Sequence, residues 1–343
     1  MHFANNSEDL AWVERALDEL PNFNADLAAR LPELGRYDPP KTRRLFIKHA
    51  DRIFFATDFM VYNKLILGSG GDADQPTDED AVTFYRKCWR WLETDDRDWP
   101  HLTPIQGDWT ISSIKLPPEV LRKIYFDTAR RLLARSLPLP VLRAKRAARD
   151  FAPDGQLDDP EWRQAARVRL EYQSNDASAR PELSTTVRAL WSAEYLYLAY
   201  ECPFTELNVF TPKRDDERIG LWKNDVVEAF IGTDERRATR YIECQWAPNG
   251  EQLDLTVDKT QRDFAWSSGM ESRVAVDEGA RIWRVEVRIP MRSLSPTPPL
   301  PGTRWRINLY RHDKANGAFL AFSPTLTNTF YTPSRFGWLE LAP

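Results

Sequence analysis

Residues 283–290 read WRVEVRIP, a stretch in which every second side chain is apolar. Trp283, Val285, Val287 and Ile289 share one face, and the charged residues between them share the other. A period of two predicts a β-strand with one face against a core and the other toward solvent. The stretch therefore indicates a sheet with one buried face, as in a β-sandwich.

Similar short stretches lie on both sides of it, separated by clusters of Gly, Pro, Asn and Asp. They are YLYLAYE (195–201), DVVEAFIG (225–232), RYIECQW (240–246) and WRINLYR (305–311). Many half-exposed strands at such spacing predict an antiparallel β-sandwich over residues 157–343.

The chain before residue 137 has a different pattern. Helical periodicity or helix-start signals mark SEDLAWVERALDEL (7–20, with Ser7 as the N-cap), KTRRLFIKHA (41–50), DEDAVTFYRKCWRWLE (78–93) and PPEVLRKIYFDTARRLL (117–133). The apolar runs in FNADLAA (23–29) and RIFFATDF (52–59) suit strands buried on both faces. Alternating buried strands and helices predict β/α units.

The two patterns meet at PLPVLRAKRAARDFAPDG (138–155), which is basic and flanked by prolines. We interpret it as a linker that is partly helical. The predicted organisation is multidomain: an α/β segment at 1–136, a linker at 137–156 and a sandwich at 157–343.

The amino-acid composition argues against several classes of binding partner and structural site. The 343 residues carry a net charge of -4, which speaks against nucleic acid and anionic membranes as partners. No apolar run is long enough for a membrane helix, and MHFANNSEDL lacks the pattern of a secretory signal, so a cytoplasmic location is expected. Three scattered cysteines are too few for a disulfide framework or a structural zinc site.

Three segments of the first half, HFANNSEDL, RIFFATDF and VLRKIYFDTARRLL, resemble the last part of a metal-dependent amidohydrolase of the second, decarboxylase-like type. The resemblance covers roughly residues 1–134 and implies the C-terminal part of a (β/α)8 barrel. It implies that His2 is a metal ligand and that Asp58, at the end of the eighth strand, is a metal ligand and a catalytic residue.

The cofactor implied by this resemblance is a divalent metal, zinc or manganese, held only when the barrel is complete. The family's paired histidines would lie upstream of Met1, and two of eight strands do not close a barrel. We therefore expect no cofactor for this chain alone, and a missing N-terminal barrel portion as a partner.

The second half begins with PDGQLDDPEWRQA (153–165), which resembles the start of a family 9 carbohydrate-binding module. The resemblance continues through LWKNDVVEAFIG, YIECQWAPNG and SPTLTNTFYTPSRFGWLEL. It implies a sandwich of the DOMON-like group whose partner is a mono- or oligosaccharide.

The same resemblance implies that Trp222, Glu228 and Asn308 contact the sugar. An aromatic ring packs against the C–H face of a pyranose, and polar side chains meet its hydroxyls. Arg311 stands where the best-known binders have a second ring, so a charged groove there would prefer an acidic sugar.

The leading interpretation is a carbohydrate-binding sandwich attached to the remnant or C-terminal part of an amidohydrolase. One alternative is an active hydrolase or decarboxylase, completed by the missing N-terminal portion. The other is a structural or interaction sandwich with no sugar ligand.

Overall fold

A computed structural model of the chain describes residues 2–68, 75–103 and 107–343. The chain divides into two compact units, Met1–Leu133 and Ala134–Pro343. Each unit has its own hydrophobic core.

Helices dominate the first unit because its apolar residues recur at helical spacing. Asp9, rather than the expected Ser7, caps the first helix, since its carboxylate accepts a hydrogen bond from the backbone N–H of Trp12 at 3.0 Å. Thr77 and Asp80 form a reciprocal capping box at the fourth helix. The helices are α1 (Leu10–Glu19), α2 (Leu31–Leu34), α3 (Pro39–Lys48), α4 (Asp78–Glu93), α5 (Pro118–Arg122) and α6 (Thr128–Leu133), with a π-helical segment, Lys123–Asp127, between the last two.

The strands of the first unit are short. They are β1 (Ala25–Asp26), β2 (Ile53–Phe54), β3 (Met60–Val61), β4 (Leu65–Ile66), β5 (Trp99–Pro100) and β6 (Thr110–Ile111). β1 and β2 form a parallel pair within the two segments expected to be buried strands. Among the described residues no further strand joins this pair, so the (β/α)8 interpretation of residues 1–136 stays a prediction.

The second unit is a large curled β-sheet with one short helix, α7 (Met291–Leu294). All five stretches with a period of two form strands in it. Its strands are β7 (Val141–Arg146), β8 (Ala166–Leu170), β9 (Tyr172–Gln173), β10 (Thr185–Trp191), β11 (Tyr195–Pro203), β12 (Val226–Gly232), β13 (Arg240–Trp246), β14 (Gln252–Asp258), β15 (Gln261–Asp263), β16 (Glu271–Asp277), β17 (Ile282–Pro290), β18 (Arg304–Asp313), β19 (Ala318–Ala321) and β20 (Gly337–Leu341).

The strand order creates two halves that face each other across one core. One half runs β15-β14-β13-β12-β18-β20, and the other runs β7-β10-β11-β17-β16. Inward residues of both halves, such as Val227, Leu309 and Val285, belong to one buried cluster. The predicted β-sandwich is therefore confirmed, and its strand pairs are antiparallel except at β7.

Residues 141–146 correct the interpretation of 137–156 as a linker. They form β7, which pairs in parallel with β20 on one side and with β10 on the other, and so joins the two halves. Leu142 and Ala144 are fully buried. The sequence pattern did not predict this strand, because only Leu142 and Ala144 point inward and prolines and basic residues surround them.

The outer face of β17 is covered rather than solvated. Glu286 accepts hydrogen bonds from the backbone N–H groups of Asp154 (3.0 Å) and Gly155 (2.9 Å) and from the indole Nε1 of Trp162 (2.7 Å). One carboxylate thus fixes the segment that leads into the sandwich.

The three cysteines, Cys88, Cys202 and Cys244, are buried free thiols. Within the described ranges, the structure contains no helix with the length and apolar character needed to cross a bilayer.

Candidate functional site

Strand alternation assigns each residue of β12, β13 and β18 to the core or to the opposite face. On β12, Val227 and Ala229 face the core, so Glu228 and Phe230 face outward. The same parity places Glu243 and Gln245 outward on β13, where Cys244 and Trp246 are core residues. The three strands are adjacent, in the order β13-β12-β18, and their outward side chains therefore meet on one surface.

Loops and edge strands surround this surface and enclose a cavity of about 400 Å³. That volume falls in the range of small-molecule sites. We call it the aromatic cleft. Its lining is Ser174, Asn175, Trp222, Glu228, Phe230, Glu243, Gln245, Arg262, His312, Phe319, Thr327, Asn328, Thr329, Phe330 and Tyr331.

Trp222 sits on a 3-10 turn, Leu221–Lys223, just before β12. Gly220 precedes it at a φ of 96°, a left-handed conformation that glycine adopts without strain. Asp225 holds the turn, because its carboxylate accepts hydrogen bonds from the backbone N–H groups of Asn208 and Lys314. Trp222 is half-buried and faces the aromatic cleft.

His312 supports the same turn. Its Nδ1 lies 3.0 Å from the carbonyl oxygen of Trp222, and a carbonyl only accepts, so Nδ1 carries the hydrogen. Burial lowers the pKa of His312 below its ordinary value. The ring is therefore neutral near pH 7, and its Nε2 is an acceptor. It stacks on Phe319 with ring centroids 4.3 Å apart.

Two carboxylates form the floor of the aromatic cleft. Burial, and then the charge of Glu243, raise the pKa of Glu228 well above its ordinary value, and burial raises that of Glu243. Glu243 Oε1 accepts hydrogen bonds from Gln245 Nε2 (2.5 Å) and the Tyr331 hydroxyl (3.3 Å), whereas its Oε2 is buried without a partner. Within the described residues the structure records no hydrogen bond to the Glu228 carboxylate.

Asn308 faces the cleft side of β18 but does not line the cavity. Its amide donates to the Tyr310 hydroxyl (2.7 Å) and the Ser323 carbonyl (2.8 Å), and its oxygen accepts from the backbone N–H groups of Ser323 and Leu309. The Tyr310 hydroxyl then donates to the carbonyl of Phe330 (3.0 Å). Asn308 thus positions the wall, which corrects its expected role as a sugar contact.

Arg311 requires a second correction, since it lies on the core face with Leu309 and is 2% exposed. Its guanidinium donates to Thr185 Oγ1 (2.8 Å), Asp313 Oδ2 (2.7 Å) and two backbone carbonyls. Arg311 is three residues from Asn308 on the same strand, so the two side chains point to opposite faces of the sheet and cannot line one groove.

Several residues of the aromatic cleft were missed from the sequence. Glu243 and Gln245 were predictable, because the same alternation that makes Trp246 a core residue turns them to the face of Glu228. Phe330 and Tyr331 lie in a loop without periodicity. Their positions depend on long-range contacts, such as the stacking of Phe330 on Tyr310 at 3.9 Å.

In the first unit the structure brings together His2 and Asp58, the two predicted metal ligands. Nε2 of His2 lies 3.9 Å from Oδ2 of Asp58, and the His2 backbone N–H donates to Asp26 at the end of β1. Nδ1 of His2 is buried without a hydrogen-bond partner. A protein zinc site needs three or four protein ligands, and in the described part of the chain this pair belongs to no cluster of three.

Among the residues that the structure describes, Glu14, Asp18 and His49 form a cluster of three possible metal ligands. Lys48 already lies between its carboxylates, with Nζ 3.1 Å from Glu14 and 2.8 Å from Asp18. The ammonium pairs with both carboxylates, so the cluster is an ion-pair network at the surface.

Known proteins resemble this chain in sequence or in fold. A curated relative, an "Extracellular protein" from Arthroderma benhamiae (strain ATCC MYA-4681 / CBS 112371), is 27% identical over 157 residues, which cover 41% of this chain and 69% of the relative. A candidate carbohydrate-binding protein from Bacteroides uniformis ATCC 8492 superposes with a TM-score of 0.50 at 15% identity, covering 59% of this chain and 99% of that chain. A carbohydrate binding module family 9 from Caldicellulosiruptor kristjanssonii, in complex with cellotriose, gives a TM-score of 0.46 at 18% identity, covering 59% and 94%.

The match to a family model covers the second unit almost entirely. The family described as carbohydrate family 9 binding domain-like matches residues 154–343, more than half of the chain. The match begins at the Asp154-Gly155 pair that Glu286 holds. The chain therefore belongs to the carbohydrate family 9 binding domain-like family.

Proposed function

We propose that residues 154–343 bind a mono- or oligosaccharide in the aromatic cleft. The observation that carries the proposal is the combination of ring walls and a polar floor in one cavity. Trp222, Phe319, Phe330 and Tyr331 line the cavity beside Glu228, Glu243 and Gln245.

Ring faces suit the C–H face of a pyranose, and the floor supplies acceptors for its hydroxyl groups. Glu243 Oε2 and Gln245 Oε1 are buried without hydrogen-bond partners. An unpaired buried acceptor costs about 1 to 3 kcal/mol. Sugar hydroxyls that donate to these oxygens would remove that cost, so the site gains more from a polyol than from an apolar ligand.

Calorimetric titration of the full chain with glucose and cellotriose tests the proposal. We expect saturable binding that weakens by about tenfold or more in Trp222→Ala, because a stacked ring contributes about 1 to 3 kcal/mol. Trp89→Ala is the matched control, since Trp89 is an exposed tryptophan of α4 in the other unit.

Absence of binding to a broad glycan panel, by a chain whose circular dichroism shows the folded sheet, would favour the structural or interaction alternative. Equal loss of affinity in both tryptophan variants would place the sugar outside the aromatic cleft.

A second proposal concerns the first unit. We propose that His2 and Asp58 contribute to a divalent-metal centre for zinc or manganese, completed by ligands beyond this pair. Their proximity beside the parallel strands β1 and β2 supports it. When bound, such a metal would supply an activated water at neutral pH.

Metal content after dialysis against zinc or manganese tests this second proposal. Because the pair supplies only two protein ligands, we expect the chain alone to retain substoichiometric metal and Asp58→Asn to retain less. Asp51→Asn is the control, because Asp51 is an exposed partner of Lys123. Equal metal content in the chain and in Asp58→Asn would contradict the proposal.

A further inference from the structure

Glu228 and Glu243 lack the cationic partner that two other buried carboxylates of this fold have. Asp313 is paired with Arg311 at 2.7 Å, and Glu251 is paired with Arg218 at 2.7 Å. In the described part of the chain no ion pair is recorded for Glu228 or Glu243. A buried carboxylate without a cation is costly unless a ligand compensates it.

The two carboxylates lie close on adjacent strands. Glu228 pairs with Gln245 across β12 and β13, and Glu243 pairs with Phe230, two residues along. Diagonal neighbours of this kind are roughly 7 to 8 Å apart at the backbone, within reach of long side chains. Two glutamate side chains at such positions are long enough to reach one ammonium group held between them.

The cations already near the site do not fill this position. Arg262 is exposed on the edge strand β15 and lies over the Tyr331 ring at 4.2 Å. Its positive charge lowers the pKa of Glu243, but burial raises that pKa by more. His312 is neutral for the reason given above. The cleft therefore holds two carboxylates at its floor and one guanidinium at its rim.

The aromatic walls, like the carboxylates of the floor, attract a positively charged ligand. The faces of Trp, Tyr and Phe rings carry negative potential and attract ammonium groups. Trp222, Phe319, Phe330 and Tyr331 provide four such rings beside the carboxylates. With Arg311 in the core, nothing at the floor would attract the acidic sugar expected from the sequence.

We propose that the aromatic cleft selects an amino sugar with a free ammonium group, which it seats between Glu228 and Glu243. This inference rests on the proposed function and names its ligand class. Hydroxyls of the same sugar would bond Gln245, while its ring stacks on the aromatic wall.

Three trimers with the same linkage test the inference: β-1,4-linked glucosamine, N-acetylglucosamine and glucose, which differ only in the group at C2. Titration of the full chain near pH 7 keeps a large part of the amine charged and leaves the floor carboxyl groups less protonated than acidic pH would. We expect the glucosamine trimer to bind about tenfold or more tighter than either neutral trimer, as for a charge pair worth about 1.4 kcal/mol.

Charge-neutral variants test whether Glu228 and Glu243 cause the preference for the glucosamine trimer. Glu228→Gln and Glu243→Gln should each bring the three affinities closer together, whereas Glu278→Gln, at an exposed carboxylate of the same unit, should not. Arg262→Gln should increase the preference, because it removes the competing cation at the rim.

The outcomes separate the two proposals. Equal affinity for the three trimers overturns the amino-sugar inference and leaves carbohydrate binding intact. A preference that survives in both floor variants also overturns it, since the amine would then bind elsewhere. Failure of every trimer to bind overturns both.

Discussion

At the scale of single residues, one step along β18 separates a core position from a cleft position. Asn308 and Arg311 were both predicted as sugar contacts, yet their spacing of three puts them on opposite faces of the strand. Arg311 then becomes a buried donor to Thr185 and Asp313. Glu228 lines the aromatic cleft, because its own strand parity points it away from the core.

Buried carboxylates make the stability of this unit depend on pH. Burial raises the pKa of Glu217 from 4.5 to about 7, and it raises the pKa of Glu228 and Glu243. Above about pH 4.5 the folded chain therefore holds more protons than the unfolded chain, so these groups lower the free energy of unfolding as pH rises toward about 7.

We expect Glu217→Gln to reduce this fall, because an amide does not titrate. Thermal unfolding between about pH 5 and pH 7.5 measures the slope for both proteins. The exposed substitution Glu278→Gln is the control. A slope identical in Glu217→Gln and the unsubstituted chain would contradict the assignment.

At the scale of elements, the wall of the aromatic cleft depends on a chain of hydrogen bonds from β18. Asn308 holds the Tyr310 hydroxyl, and Tyr310 holds the backbone of Phe330 while its ring stacks on the Phe330 ring. The loop has no periodic sequence, and these contacts replace the regular pairing that a strand would have.

We expect Asn308→Ala to lower the free energy of unfolding by about 2 to 4 kcal/mol, because it leaves several buried polar groups unpaired. Tyr310→Phe should cost only about 1 kcal/mol, since it removes one hydroxyl and keeps the stacked ring. Urea unfolding measures both. Equal effects would mean that the Ser323 contacts of Asn308 contribute nothing.

Glu286 performs a similar task for the segment before β8. We expect Glu286→Ala to cost about 3 kcal/mol, because the N–H groups of Asp154, Gly155 and Trp162 lose a shared acceptor. Hydrogen exchange at residues 154–155 should accelerate before the sheet opens. Exchange that stays slow there would show that another contact holds the segment.

Sequence alone predicted a strand where alternate residues are buried in the core, and it failed where few residues are buried. Strands with apolar residues at every second position were identified, as in WRVEVRIP, because one face packs on the core. The strand β7 was missed, since only Leu142 and Ala144 point inward and Arg143 reaches outward to Glu340. In the cleft, Trp222 and Glu228 were predictable from local sequence, whereas the 327–331 wall is set by contacts distant in the chain.

At the scale of the whole molecule, β7 makes the second unit larger than the predicted 157–343 domain. It lies between β20 and β10, so it joins the two halves by hydrogen bonds along this seam. Removing it would leave one edge of β20 and the end of β10 at Leu190 and Trp191 without a partner strand, and would expose the core at the seam.

We therefore expect a chain of residues 134–343 to unfold cooperatively and a chain of residues 157–343 to fail to fold or to aggregate. Circular dichroism and thermal unfolding of the two fragments distinguish them. A stable 157–343 fragment with the same unfolding temperature would show that the seam is dispensable.

The buried cysteines also affect how the protein responds to its surroundings. Burial raises the pKa of the Cys88 and Cys202 thiols to about 12, and that of Cys244 well above its ordinary value. Thiolates are the reactive species in oxidation and alkylation, so the folded chain is nearly inert to both. Oxidising and reducing media should therefore leave its structure unchanged, and labelling by a thiol reagent would report only molecules that have opened.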